Sequence, residues 1–169
     1  MTKPATSSTP RIVPVAELGS SDQELCHKAA EFARTAYAPY SRFSVGAAVR
    51  TKRGIHGGSN LENASYPVGI CAEVSAITVA NSAGDFAIQT IAVVGHPSND
   101  PAKGIDIVTP CGRCRQFIFE ASQVSGTDIR VISCNGDLSK CRISTISDLL
   151  PEAFGPANLG IDLSTYRKK

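Results

Sequence analysis

The sequence has no apolar run approaching the roughly 20 residues that cross a bilayer. Nor does its N-terminus, MTKPATSSTPRIVPVAELGSS, hold the continuous apolar stretch of a secretory signal. Strong charge of one sign is also missing. Seventeen Lys and Arg against fifteen Asp and Glu leave a net charge of +2, with no evident basic stripe, so neither a nucleic-acid nor a membrane partner is expected. There is no repeat and no low-complexity block, which excludes solenoids and fibrous arrays. The three histidines, His27, His56 and His96, fall in no motif and read as surface or capping residues. The first 16 residues contain no acid and are rich in Ser, Thr and Pro. A transit peptide would carry more basic residues than Lys3 and Arg11. Residues 1–19 are therefore expected to form a mobile tail, ahead of one domain over 20–169.

What is present suits a globular protein. Of 169 residues, 42% are apolar and 19% charged, enough for one sizeable core. Six cysteines stand at 26, 71, 111, 114, 134 and 141. Without a secretory signal the expected compartment is the cytoplasm. There a C-x-x-C pair points to metal binding or redox work rather than to a disulfide framework.

Local patterns predict an alternation of helices and strands. Ser21 can cap a helix whose apolar positions are Leu25, Ala29, Phe32, Ala33 and Ala36, ending before Pro39. Strands are expected at 44–49 and 55–60, joined as a hairpin by the turn TKRG. A helix from Cys71 to Ala83 should stop at Gly84, and a buried strand follows over 88–95. Pro110 suits the first turn of a helix near 111–122. Strands at 128–133 and around KCRIS, and a short helix near 146–150, complete the set. This order predicts an α/β protein with a mixed sheet covered by helices, and a parallel step between 88–95 and 128–133.

Two of the predicted helix starts carry cysteines: Cys71 on one, Cys111-Gly112-Arg113-Cys114 on the other. Unpaired N–H groups and the positive dipole end of a helix favour the thiolate, the form that ligates metal. Three thiolates from two helix starts could hold one zinc and leave a fourth position open, as catalytic zinc requires. Glu73, two residues past Cys71, can reach water at that position and move its protons. The rival readings are a closed structural zinc module and a redox pair. The first needs a fourth ligand, for which Cys134 is the nearest candidate but lacks metal-type spacing. The second needs no distant C-x-E. Cys26, Cys134 and Cys141 read as free structural thiols.

Cys71-Ala72-Glu73 followed by Pro110-Cys111-Gly112-Arg113-Cys114 is the nucleobase-deaminase pattern H-x-E…P-C-x-x-C with Cys in place of His. With FSVGAA (43–48), NLENASYPVGICAE (60–73), PCGRCRQ (110–116) and LLPEAFGPANL (149–159), the chain resembles short, homotetrameric cytidine deaminases over about residues 20–160. The resemblance implies a three-layer α/β/α sandwich around a five-stranded mixed sheet. It implies one Zn2+ per subunit on Cys71, Cys111 and Cys114, with Glu73 as proton shuttle. Phe43 would pack on the base of a pyrimidine nucleoside, Asn60 and Glu62 would bind the ribose 3′-hydroxyl, and the Ala72 N–H would bind the C2 carbonyl. Ala64, Tyr66 and Gly69 would help complete a neighbouring subunit's site, and Phe154 would reach in from another subunit. The implied reaction turns cytidine and deoxycytidine into uridine and deoxyuridine in pyrimidine salvage. No clustered phosphate grip accompanies the ribose motif, so a nucleotide substrate is not expected.

One position departs from the family pattern. An arginine commonly follows the glutamate and bonds the thiolates; here the residue is Val74. Three thiolates and Zn2+ sum to −1, which raises the pKa of the metal's water unless something offsets it. Helix N-termini supply part of the offset. Arg113 is the candidate for the rest, with Arg115 the alternative. Val74 could equally make room for a bulkier substrate. PCGRCRQ and an apolar residue after C-A-E also occur in blasticidin-S-type deaminases, so a modified cytosine nucleoside is the alternative substrate.

Overall fold

The computed structural model describes residues 11–166. Ten elements matter for the site: β1 (Arg11–Val13), α1 (Ser20–Ala33), β2 (Phe43–Arg50), β3 (Ile55–Ser59), α2 (Ala72–Ser82), β4 (Thr90–Pro97), α3 (Gly112–Ser125), β5 (Arg130–Cys134), β6 (Cys141–Thr145) and α4 (Ile146–Leu149). The strands form one mixed sheet in the order β1-β6-β5-β4-β2-β3. Among the described strands only β4 and β5 pair in parallel, with α3 as their connection, as the order of elements predicts.

Period-two alternation builds two cores from the same strands. Ala48, Ala92, Val94, Ile132 and Cys134 face one side and pack with Leu25, Cys26 and Ala29 of α1. Val49, Ile91, Val93 and Val131 face the other and pack with Ala72, Ala76 and Ala80 of α2 and Ile118 of α3. The result is a three-layer α/β/α arrangement. Alanines on α2 and on the strands it covers let that helix lie close to the sheet.

Among the described residues the sheet has six strands rather than the expected five, and the mobile N-terminal tail expected over 1–19 is corrected for its second half. Arg11–Val13 pairs antiparallel with β6, covering an edge that would otherwise expose unpaired backbone groups. Val13, Val15 and Leu18 then bury their side chains in the α1-side core. Burial of these three outweighs the Ser/Thr/Pro bias of the segment. Residues 1–10 lie outside the described residues.

Helix boundaries differ slightly from the pattern-based reading. The cap position of α1 is Gly19, not Ser21, and no side chain caps it. Gly84 follows α2 with φ 70°, the left-handed conformation expected of it. Cys111 rather than Pro110 sits at the boundary of α3, which runs to Ser125. None of the described helices is long and apolar enough to cross a membrane.

Candidate active site

Cys71 is the N-cap residue of α2, and Cys111 is the N-cap residue of α3. Both therefore sit where helical N–H groups lack intrahelical acceptors. Cys114 lies on the first turn of α3 and is fully buried, while Cys71 is half-buried and Cys111 exposed. The three Sγ atoms lie within 4.8 Å of one another, and those of Cys111 and Cys114 are 3.5 Å apart. Zn–S bonds of about 2.3 Å in tetrahedral geometry would space the sulfurs by about 3.8 Å, so the donor set fits one zinc ion. Cys134 cannot supply a fourth ligand. It is fully buried on the α1 side of the sheet, with its Sγ 3.5 Å from that of Cys26.

Glu73 occupies the first turn of α2 and is 4% exposed. Burial pushes its carboxyl above the ordinary value, opposed only in part by its own backbone N–H and the Cys114 thiol. Cys71 moves the other way, down to about 6, chiefly because the Cys114 thiol donates to it; Cys111 and the charge of Arg113 act in the same direction. Cys114, the donor of that pair, is shifted up by the bond to Cys71 and by burial.

A cleft of about 520 Å³ opens over these groups. Phe43, Asn60, Glu62, Tyr66 and Gly69 line it together with Cys71, Ala72, Glu73, Cys111 and Arg113. Phe43 begins β2, and its ring lies over Gly95 of β4, where an added Cβ would come within 2.9 Å of it. Asn60 directly follows β3, and Glu62 accepts from the backbone N–H of Tyr40 and of Ser41. Two of the residues expected to contact substrate do not line this cleft. Ala64 is exposed on the loop after β3, and Phe154 is 60% exposed, its carbonyl accepting from Gln116 Nε2. Tyr66 and Gly69, expected to serve a neighbour, line the cleft of their own chain.

Of the two arginines, Arg113 is the one at the site. Its Nη1 donates to the Gly69 carbonyl at 3.0 Å, and its guanidinium lies 5.9 Å from the Phe117 ring centroid. Arg115 instead donates to the carbonyls of Pro110 and Leu149. Pattern reading missed Ser41, Val45, Val108 and Thr109, which also line the cleft. Thr109 could have been suspected from its place just before Pro110-Cys111. The others carry no local signal: Val45 is brought there by β2, Ser41 by the turn before it and Val108 by the loop before α3.

Three thiols on two helix starts beside a buried carboxylate, under a cleft lined by an aromatic, an amide and a carboxylate, define a deaminase-type zinc site. Comparison with known proteins agrees. Residues 19–126 match the family model described as the cytidine and deoxycytidylate deaminase zinc-binding region. A cytidine deaminase of Halalkalibacterium halodurans is 39% identical over 133 residues, covering 78% of this chain and 92% of that protein. A probable cytidine deaminase of Dictyostelium discoideum is 36% identical over 144 residues, covering 84% and 90%. The crystal structure of cytidine deaminase from Burkholderia pseudomallei superposes with a TM-score of 0.68 at 37% identity, covering 78% of this chain and 98% of that one. The chain belongs to the cytidine and deoxycytidylate deaminase family.

Proposed function

We propose that this protein hydrolyses cytidine and 2′-deoxycytidine to uridine and 2′-deoxyuridine with release of ammonia, in pyrimidine salvage. The observation that carries the reading is the placement of buried Glu73 beside the Cys71, Cys111 and Cys114 cluster at the floor of the cleft. One zinc ion per subunit, held by these three thiolates, would supply Lewis-acid activation of the attacking water. Glu73 takes a proton from the water that attacks C4 of the cytosine and delivers it to N3. It then carries the remaining hydroxyl proton to the exocyclic amino group, which leaves as ammonia while the ring keeps the oxygen. A carboxylate shifted upward by burial suits a group that must both accept and return protons.

Phe43 forms the wall for the planar base, and the Ala72 N–H faces its C2 carbonyl. Asn60 and Glu62 read the sugar hydroxyl, donating and accepting respectively. Arg113 offsets part of the surplus thiolate charge in the absence of an arginine at Val74, consistent with its effect on Cys71. The exposed positions of Ala64 and Phe154 are consistent with a homotetramer in which such residues complete other subunits' sites. Three thiolate ligands need a reducing compartment, which favours the cytoplasm.

The test is ammonia release from a panel of cytidine, deoxycytidine, CMP, blasticidin S and N4-substituted cytidines. Turnover of the two plain nucleosides, abolished in Glu73→Ala, is expected. Full activity in Glu73→Ala would overturn the mechanism, and preference for blasticidin S would reassign the substrate.

A further inference from the structure

Asn60 and Glu62 spend much of their hydrogen-bonding capacity on the protein itself. Strand β3 ends at Ser59, opposite Gly46, while β2 continues back to Phe43. The β2 groups beyond the last pair need partners. Asn60 provides them: its Oδ1 accepts from the Val45 N–H at 2.8 Å, and its Nδ2 donates to the Phe43 carbonyl at 3.0 Å. Its own N–H also donates to the Val45 carbonyl at 3.1 Å. The side-chain amide thus stands in for the peptide group that a longer β3 would offer.

Glu62 does the equivalent work on the preceding turn. One oxygen, Oε2, accepts from the N–H of Tyr40 at 2.9 Å and of Ser41 at 3.2 Å. The Ser41 hydroxyl, the largest influence holding the Glu62 carboxyl low, also accepts from the Phe43 N–H at 3.1 Å. Between Ser41 and Phe43, Arg42 has φ 56°, a left-handed conformation that a non-glycine residue keeps only where its surroundings enforce it. Both backbone polar groups of Phe43 are therefore held within this Asn60–Ser41–Glu62 set.

We infer that Asn60 and Glu62 are positioning residues for Phe43 as well as sugar readers, so that the sugar pocket and the base wall form one mechanical unit. The inference rests on the proposed reading of Phe43 as the base wall. A pure sugar reader acts only through a hydroxyl; a brace acts whether or not that hydroxyl is present.

The discriminating substrate is 2′,3′-dideoxycytidine, which has no 3′-hydroxyl to bind. It is compared with cytidine by steady-state kinetics and by single turnover with enzyme in excess. The variants are Asn60→Ala, Glu62→Ala, Glu62→Gln and Ser41→Ala, each checked for zinc content and melting temperature. Asn60→Ala and Glu62→Ala are expected to lower kcat/KM on dideoxycytidine by about 10-fold, with the loss in kcat rather than KM alone, as misplacing a base-contacting group does. Glu62→Gln, whose amide oxygen can still accept from both N–H groups, recovers most of the Glu62→Ala loss on dideoxycytidine but not on cytidine. Ser41→Ala, a milder cut of the same set, shows the same kcat loss if the larger changes unfold the protein. In a Phe43→Ala background, Asn60→Ala adds little. Variants that match wild type on dideoxycytidine and fall only on cytidine would overturn the inference and leave the deaminase reading intact. Wild-type protein that releases no ammonia from cytidine would overturn both.

Discussion

Arg113 and Gly69 are joined by a hydrogen bond of 3.0 Å that links segments 44 residues apart. The bond ties the start of α3, with Cys111 and Cys114, to the loop that leads into Cys71. The two halves of the thiol cluster are thus held together by something other than the metal. The same guanidinium brings positive charge to a cluster that carries a surplus negative charge when zinc is bound. Arg113→Ala is therefore expected to weaken zinc retention by about 10-fold, the lower range for loss of a group supporting metal ligands. Competition with a chromogenic chelator measures it. Arg113→Lys should recover part of the loss, having the charge but not the planar fork. Unchanged zinc release in Arg113→Ala would remove the charge-offset role.

Glu73→Gln conserves shape and removes the titrating group. If Glu73 moves protons to and from the reacting base, kcat should fall by about 10²–10⁴-fold. Zinc content and melting temperature should stay near wild type, since an uncharged amide in this buried position carries no charge-desolvation cost. Loss of zinc along with activity would instead make Glu73 a support for the metal.

The N-terminal strap is expected to matter for stability. Removing residues 1–18 exposes the surfaces covered by Val13, Val15 and Leu18, each about 1.5–3 kcal/mol when fully buried. The antiparallel pairing with β6 is lost with them, while the freed segment regains conformational entropy, so a lower urea midpoint is expected. The truncated protein should also self-associate, because β6 becomes an open edge, and light scattering reads this directly. A truncation that melts like the full chain would show that the strap contributes little.

Asp85 predicts the acid side of the stability curve. It is 4% exposed, accepts from the Thr51 hydroxyl, and lies 3.1 Å from His56 Nε2. Burial alone would raise its pKa; the Thr51 hydroxyl, His56 and the charge of Arg53 outweigh it, and the folded value is lowered. A carboxylate lowered in the folded state stabilises above its unfolded pKa, near 3.9. That contribution is lost as pH falls through the folded value. Asp85→Asn should therefore be less stable than wild type at pH 6, with the difference shrinking below about pH 4. A difference that stays constant from pH 6 to pH 3 would show that the charge is not what stabilises.

The legible parts of the fold were those set by neighbours in sequence. Alternation in SVGAAV and IQTIAVVG announces strands that feed two opposite cores, and Gly84 marks the end of α2 because few other residues take its φ. The N-terminal segment misled for a reason of scale. RIVPVAEL is too short and too interrupted by proline to show a period, and it is held only because β6 offers an edge and the α1-side core has room for its apolar side chains. Boundaries moved where caps were assigned from residue type, as at Ser21 and Pro110, since a cap depends on where the chain arrives from.

The sequence by itself determined which candidate site residues share a helix start. Cys71 and Glu73 share one helix start, Cys111 and Cys114 another, and helical geometry places each pair without help from the rest of the fold. The tertiary structure decided what those groups face. The parallel β4–β5 step sets α3 beside α2 so that three sulfurs converge within 4.8 Å. It also turns the Asn60 amide into the ladder of β2, commits one Glu62 oxygen to the turn before Phe43, and sends Arg113 rather than Arg115 to the cleft. A side chain's type is local, but its hydrogen-bond partners lie tens of residues away and exist only once the sheet has formed.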